Sequence, residues 1–277
     1  MAGLPQFEHL RVERRGPRLH VTLNRPEARN ALSREMVAEL LIVAEFLQKE
    51  RAIGTVVLTG AGGVFCAGGD IKGFKTSFEA PKPKRGKPDP IAANNRRFGK
   101  FLNIFSALPQ TVVAAAEGAA IAGGLGLMSV ADVVLATADA KFALTETSLG
   151  IPPAQIAPFV AARIGVPKAR FLALTGARFD ARAAAGFGLV DIVCDDAAAL
   201  AAALKKILAE IGRCAPGANA ATKRLLLASL MTPREKLLDQ AAKSFAECLR
   251  GEEGREGVSA FLEKREPRWA AKSREGL

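Results

Sequence analysis

Apolar and polar residues alternate from Leu19 to Leu23, with His20 and Thr22 on the polar phase, and this period of two predicts a half-buried strand. Asn24, Arg25, Pro26 and Glu27 end it. The period then changes: Met36, Leu40, Val43, Ala44 and Leu47 fall on one helical face, with Ser33 placed as N-cap and Glu35 in the first turn, where the helix dipole favours an acid. Thr55 to Thr59, Thr111 to Ala116 and Asp132 to Ala136 are short apolar runs without polar alternation, the pattern of strands covered on both faces. The stretch from Lys72 to about Ile91 is rich in Pro, Lys and Gly and reads as a mobile loop, followed by a helix over Phe98 to Leu108. Beyond Pro153 the helical period dominates, over 155–164, 167–174, 181–187, 196–212, 217–230 and 234–265, with one short strand from Leu189 to Val193. The front half thus alternates strands and helices, the back half is mostly helical, and no internal repeat is visible.

Composition narrows this picture little. The chain has 277 residues, 49% hydrophobic and 24% charged, enough to bury a core without disulfides or metal and too apolar for wholesale disorder. Aromatics are 6%, with no Tyr and one Trp, which weighs against recognition by base stacking. Charge adds more. Lys and Arg total 39 against 28 acids, a net +11 that suits a polyanion: nucleic acid, acidic lipid or a small phosphate-rich ligand. The basic residues are dispersed, and the one dense tract, Lys82 to Lys87, reads as a solvated loop. The N-terminus from Met1 to Glu8 lacks the regions of a signal peptide, and Glu8 and Glu13 interrupt the arginines that a transit peptide would need. The uncharged stretch Gly118 to Ala131 is shorter than the ~20 residues of a membrane span. Cys66, Cys194, Cys214 and Cys248 show no metal-like spacing, and a reducing cytosol fits best.

The chemistry open to these residues is limited. His9 and His20 are the only histidines and neither stands beside a glycine loop, so mechanisms that rest on a Ser-His-Asp or Cys-His pair are disfavoured. There is no phosphate-binding GxxxxGK[ST] loop. Gly60, Gly62 and Gly63 begin like a dinucleotide fingerprint, but Phe65 stands where its third glycine belongs. Two strand-then-glycine loops remain, Phe65 to Lys72 and Gly118 to Gly126. Glycine lets backbone approach a ligand closely, so two such loops on neighbouring strands can each aim one N–H at a single oxygen, an oxyanion hole strengthened by any helix beginning at Gly123. The same glycines also suit tight turns or close helix–sheet packing, and spacing alone does not choose.

Eight blocks in order carry a resemblance: Leu23 to Leu32, Val57 to Gly60, Phe65 to Lys72, Gly118 to Gly126, Phe142 to Gly150, Ala173 to Gly176, Ala184 to Asp191 and Glu256 to Arg265. Together they resemble the crotonase superfamily, of which enoyl-CoA hydratases are the best-known members. The resemblance implies an α/β fold, a crotonase-like spiral of ββα units over 1–195 holding an acyl-CoA site, and a helical C-terminal trimerisation region over 196–277. It implies a homotrimer or dimer of trimers in the cytoplasm, with acyl-CoA as partner, no nucleic acid, no membrane, no metal and no separate cofactor, coenzyme A being part of the substrate. By match to the family motifs, the oxyanion hole is the N–H of Gly69 and of Gly123. Substrate-binding positions are Ala28, Ala67, Gly68, Gly69, Asp70, Ile71, Lys72, Gly123 and Gly126, with Lys72 toward the CoA phosphates.

The acid–base residues depart from the hydratases resembled. Of the two glutamates that flank one water there, the second falls at Glu146 and the first at Gly126. Glu146 can still move a proton at a carbon beside the thioester if an apolar site raises its pKa, and Phe142, Leu144 and Leu149 suit such a site. A single glutamate here is also found in double-bond isomerases and in hydratases of branched glutaconyl thioesters. The segment Glu146 to Val160 resembles the latter, the hydratases of methylglutaconyl-CoA and isohexenylglutaconyl-CoA. Gly126, without a side chain, is expected to leave room for a β-substituent. The implied function is therefore addition of water to the α,β double bond of a branched enoyl-CoA. The alternatives are Δ3–Δ2 enoyl-CoA isomerisation and a non-catalytic CoA- or RNA-binding protein of the same fold.

Overall fold

The computed structural model describes residues 4–79, 82–83 and 86–274. Met1 to Gly3 of the N-terminal reading, and Lys84 and Arg85 of the basic tract, lie outside them. The chain opens with an antiparallel pair, β1 (Leu10–Arg15) and β2 (Arg18–Leu23). In β2 the alternation holds, with Leu19, Val21 and Leu23 fully buried. A single helical turn, Pro26–Ala28, leads to α1 (Arg34–Leu47), capped by the Ser33 hydroxyl accepting from the Met36 N–H. All five residues of the predicted face are buried.

β3 (Thr55–Gly60) is followed by α2 (Ile71–Ser77), α3 (Pro90–Ser106) and β4 (Thr111–Ala116). The loop expected over 72–91 is thus partly helix. The Asp70 carboxylate accepts from the N–H groups of Lys72 and Gly73 and starts α2, and Asp89 starts α3 in the same way. β5 (Ala119–Ile121), α4 (Gly123–Ser129), β6 (Val133–Thr137) and β7 (Lys141–Ala143) come next. After a short helical turn, Glu146–Leu149, the chain forms α5 (Ala157–Ile164), α6 (Val166–Thr175), β8 (Arg178–Asp180), α7 (Ala181–Gly186) and β9 (Ile192–Cys194). It finishes in α8 (Ala197–Gly212), α9 (Pro216–Ala228), α10 (Arg234–Arg250), α11 (Glu252–Leu262) and α12 (Arg268–Arg274). The helix expected over 234–265 is divided at Gly251, whose extended backbone (φ −68°, ψ 169°) ends one helix and begins the next.

Six strands form one sheet in the order β1-β2-β3-β4-β6-β9, parallel from β2 onward. Its inner strands are covered on both faces. Val56, Leu58, Val112, Ala114, Val134 and Ala136 join the main core with α1 and α3–α5, while Val57, Val113, Ala115 and Leu135 face the other way, onto Leu200 and Leu208 of α8. The unbroken apolar runs in the sequence have this cause. A second sheet, β5-β7-β8, stands beyond the carboxyl ends of the first, with β5 and β7 parallel. The segment after β3 links the two: Cys66 bridges Ala120 of β5, and Gly69 bridges Leu32.

Candidate active site

The two glycine loops meet where the parallel strands end, the usual place for a ligand in such sheets. The Leu32 N–H donates to the Gly68 carbonyl at 2.7 Å, and the Asp70 N–H donates to the Leu32 carbonyl at 3.2 Å. In a parallel bridge the residue between these two bonds turns its own N–H to the opposite side. Gly69 therefore presents its N–H away from Leu32, on the side of β5 and α4. Gly123 is the first residue of α4, and an N–H there has no carbonyl within its own helix. Among the described residues neither N–H donates to a protein atom. Close approach makes this convergence possible: a Cβ on Gly124 would run into Cys66, 2.5 Å from its carbonyl oxygen, so α4 lies directly on the strand leading to Gly69.

Glu146 arrives by a separate route with the same endpoint. β7 runs parallel to β5, Ala120 opposite Phe142, so both leave the small sheet at one edge. The edge of β5 delivers Ala122 and Gly123, and that of β7 delivers Thr145 and Glu146, onto one cavity of about 390 Å³. One carboxylate oxygen of Glu146 is buried without a hydrogen-bond partner among the described residues. Burial pushes its carboxyl pKa up, only partly countered by its own N–H and that of Thr145. Phe142 and Leu144 are buried beneath it, and Leu149 lines the cavity although it is exposed.

The cavity wall includes Ala67, Gly69, Asp70, Ile71, Gly123 and Glu146 of the positions singled out in the sequence. Asp70 is occupied as the cap of α2 and in an ion pair with Arg25 at 3.2 Å. Ala28 lies in the turn before α1, Gly68 (φ +100°) is pressed against Ile121 and Ala122, and Lys72 is exposed; none of the three is on this wall. Gly126 is not on it either. A Cβ at Gly126 would run into Cγ2 of Ile156 and stand 2.9 Å from its Cβ. The room expected at Gly126 is thus already filled by Ile156, which itself lines the cavity. Phe74, whose ring tip stands 2.7 Å from where a Gly69 Cβ would be, and Glu35, Phe98, Asn94, Asn95 and Gln155 also line it. None of these was singled out in the sequence as a site residue, and Phe74, Glu35 and the residues of α3 reach the cavity by tertiary packing.

This arrangement has two unengaged N–H donors, a buried carboxyl whose pKa is raised and apolar groups on its wall, which suits a carbonyl compound that gains negative charge on oxygen and exchanges a proton at carbon. The comparisons with known proteins agree with that chemistry. The family description enoyl-CoA hydratase/isomerase matches residues 18–272. The structure of AtuE from Pseudomonas aeruginosa is similar at 50% identity and a TM-score of 0.90, covering 95% of this chain and 100% of that one. That of an enoyl-CoA hydratase/isomerase from Marinobacter aquaeolei is similar at 45% identity and a TM-score of 0.91, covering 95% and 99%. The enoyl-CoA hydratase EchA19 of Mycobacterium tuberculosis is 33% identical over 92% of this chain and 94% of its own. With its mixed α/β core, its helical C-terminal region and a match over nearly its whole length, the chain belongs to the enoyl-CoA hydratase/isomerase family, within the crotonase superfamily.

Proposed function

We propose that the protein adds water across the α,β double bond of a branched, glutaconyl-type enoyl-CoA thioester. The observation that carries this reading is the meeting of Gly69, Gly123 and Glu146 on one cavity wall. The thioester oxygen accepts hydrogen bonds from the two glycine N–H groups. Oxygen of water bonds to the β-carbon, the electrons of the double bond move toward the thioester as an enolate, and the negative charge grows on the oxygen the two N–H groups hold. Glu146 supplies the proton that closes the α-carbon and takes up in its place the proton shed by the attacking water, so that the water oxygen ends as a hydroxyl and the product is a 3-hydroxyacyl thioester. The branched acyl group is supported by the likeness of the segment from Glu146 to Val160 to the glutaconyl-type hydratases. Coenzyme A enters as part of the substrate, with the scattered Lys and Arg residues as partners for its phosphates.

The same reading includes self-association through the C-terminal helices, as a homotrimer or a dimer of trimers. It is supported by the exposed Leu238, Phe245 and Leu249 of α10 and Phe261 and Leu262 of α11. We place the enzyme in the cytosol, in keeping with four cysteines that are all free thiols. No helix of the described residues is long and apolar enough to cross a membrane.

A second reading, Δ3–Δ2 isomerisation, is favoured by Gly126 standing where the resemblance places a partner acid to Glu146, since a 1,3-proton shift needs only one group to carry the proton. Reaction in heavy-oxygen water separates the two. Hydration places the solvent oxygen on the β-carbon of the product, and loss of the conjugated enoyl-thioester absorbance accompanies it. Isomerisation incorporates no oxygen and gains absorbance from a non-conjugated substrate. A product of unchanged mass removes the hydratase reading.

A further inference from the structure

The seam between α3 and the segment before α5 holds polar groups that the chemistry above does not use. At Gly99 a Cβ would run into the carboxamide oxygen of Gln155 and stand 3.1 Å from Nη1 of Arg96. The Gln155 carboxamide and the Arg96 guanidinium therefore converge over the same bare patch of helix. Gln155 lines the cavity and directly precedes Ile156, the residue packed on Gly126, which sets its carboxamide beside the acyl side of the site. Asn95, four residues before Gly99 and so on the same helical face, also lines the cavity. Among the described residues Arg96, Asn95 and Gln155 have no side-chain hydrogen bond or ion pair within the protein. Two other arginines near the cavity are engaged within the protein: Arg25 is paired with Asp70, and Arg34 bonds the Ser77 hydroxyl.

We infer that Arg96 and Gln155, brought together over Gly99, bind a carboxylate carried by the acyl group of the substrate. A guanidinium offers a planar fork of N–H donors that matches a carboxylate, and a carboxamide adds a donor of its own. Arg96 is exposed and reaches the cavity only through Gln155, which it meets over Gly99, so the carboxylate remains near water while the apolar branch lies against Ile156. A side chain at position 99 would push the carboxamide aside. The inference rests on the enoyl-CoA reading for the acyl group's location, and it assigns the specificity for an acidic acyl end to these two residues.

The test is a binding measurement that needs no turnover. Titration calorimetry compares 3-methylglutaryl-CoA with isovaleryl-CoA, two saturated thioesters that share the branch and the CoA and differ in the carboxylate. Wild type is expected to prefer the carboxylated ligand about tenfold or more, the worth of a hydrogen-bonded charge. Arg96→Gln is expected to abolish that preference with isovaleryl-CoA binding unchanged, Arg96→Lys to keep part of it, and Gln155→Ala or Gly99→Ala to reduce it. Equal weakening of both ligands by Arg96→Gln would mean that Arg96 meets the CoA phosphates, and overturns the inference. No preference in wild type, or no binding of either thioester, overturns it as well. Hydration of a panel of enoyl-CoA esters is scored separately. If water is added but the carboxylate makes no difference, this inference alone fails; if no enoyl-CoA takes up water, the hydratase reading fails while the binding preference is still read.

Discussion

Burial of the Glu146 carboxyl acts on stability and on turnover with opposite signs. Its pKa is raised above the usual 4.5, so the folded state binds the proton more tightly than the unfolded chain does. The stabilisation this brings is fully present below the unfolded pKa and is lost as pH rises through the folded one. Glu146→Gln, neutral at every pH, is therefore expected to melt no lower than wild type at pH 7, with its relative standing falling as pH is lowered toward 4.5 and below. The same variant is expected to lose ~10²–10⁴-fold in turnover, as for a general acid–base group. Melting curves across pH, beside rates on the preferred thioester, check both; a loss of less than a few-fold removes Glu146 from the chemistry. Gly126 gives a second residue-scale expectation. Gly126→Glu alone collides with Ile156 and is expected to cost at least ~1–3 kcal/mol by overpacking. The double change Gly126→Glu with Ile156→Ala relieves the collision, recovers stability in denaturant titration and is the form in which a second carboxylate can be tried on straight-chain substrates. Glu146 could be picked out in the sequence because it falls on a motif position of the family that the chain resembles, with the apolar Phe142 and Leu144 close by. The filling of Gly126 could not, because its partner is 30 positions away and reaches it only through the packing of α4 on the residue preceding α5.

Caps decide where several elements start, and one cap bears directly on the cavity. The Asp70 side chain holds both the first N–H groups of α2 and the Arg25 guanidinium, and α2 carries Phe74 onto Gly69. Asp70→Ala is expected to cost ~1 kcal/mol from the lost cap and to raise KM for the CoA ester as Phe74 loosens. Asp70→Asn keeps the cap, so a smaller loss of stability with a similar rise in KM would trace the effect to Arg25. Chemical denaturation and steady-state kinetics on the two variants distinguish these contributions. α1 was legible because its Ser33-capped face repeats the helical period, and β3, β4 and β6 because each is an unbroken apolar run, whereas β1, six residues with mostly exposed side chains, was not. β5, β7 and β8 have three residues each, too few for a period of two to appear, and they form because neighbouring chain is already in place. α2 was hidden for a different reason, since its capping aspartate follows two glycines and its body lies in a stretch whose Lys and Gly content suggests a loop.

At the scale of the whole molecule, the inner strands of the large sheet are covered on both faces, and half of the exposed large apolar side chains among the described residues lie beyond residue 196. Phe245 is 69% exposed and Phe261 83% exposed, and burying such side chains stabilises by roughly 25 cal/mol per Å². Phe245→Glu is expected to shift the protein to a smaller species in light scattering and to leave the monomer's far-ultraviolet spectrum unchanged; an unaltered mass would take α10 out of the contact. A crossing from the first sheet to the last helix joins the ends of this architecture. Arg18, the first residue of β2, is 1% exposed, and its guanidinium donates to the Ser273 carbonyl and hydroxyl of α12, 255 positions along the chain. Those positions are also a span of time. At a synthesis rate of about 5–20 residues per second, the β1–β2 hairpin leaves the ribosome tens of seconds before the helix that receives its arginine. During that interval the Ser273 side of this contact is missing, so the amino-terminal edge of the sheet cannot reach its final packing on the growing chain. The cavity at the opposite, carboxyl ends of the strands draws on no residue beyond Ile156, and the nascent enzyme can shape its binding site well before the far side of its core is closed.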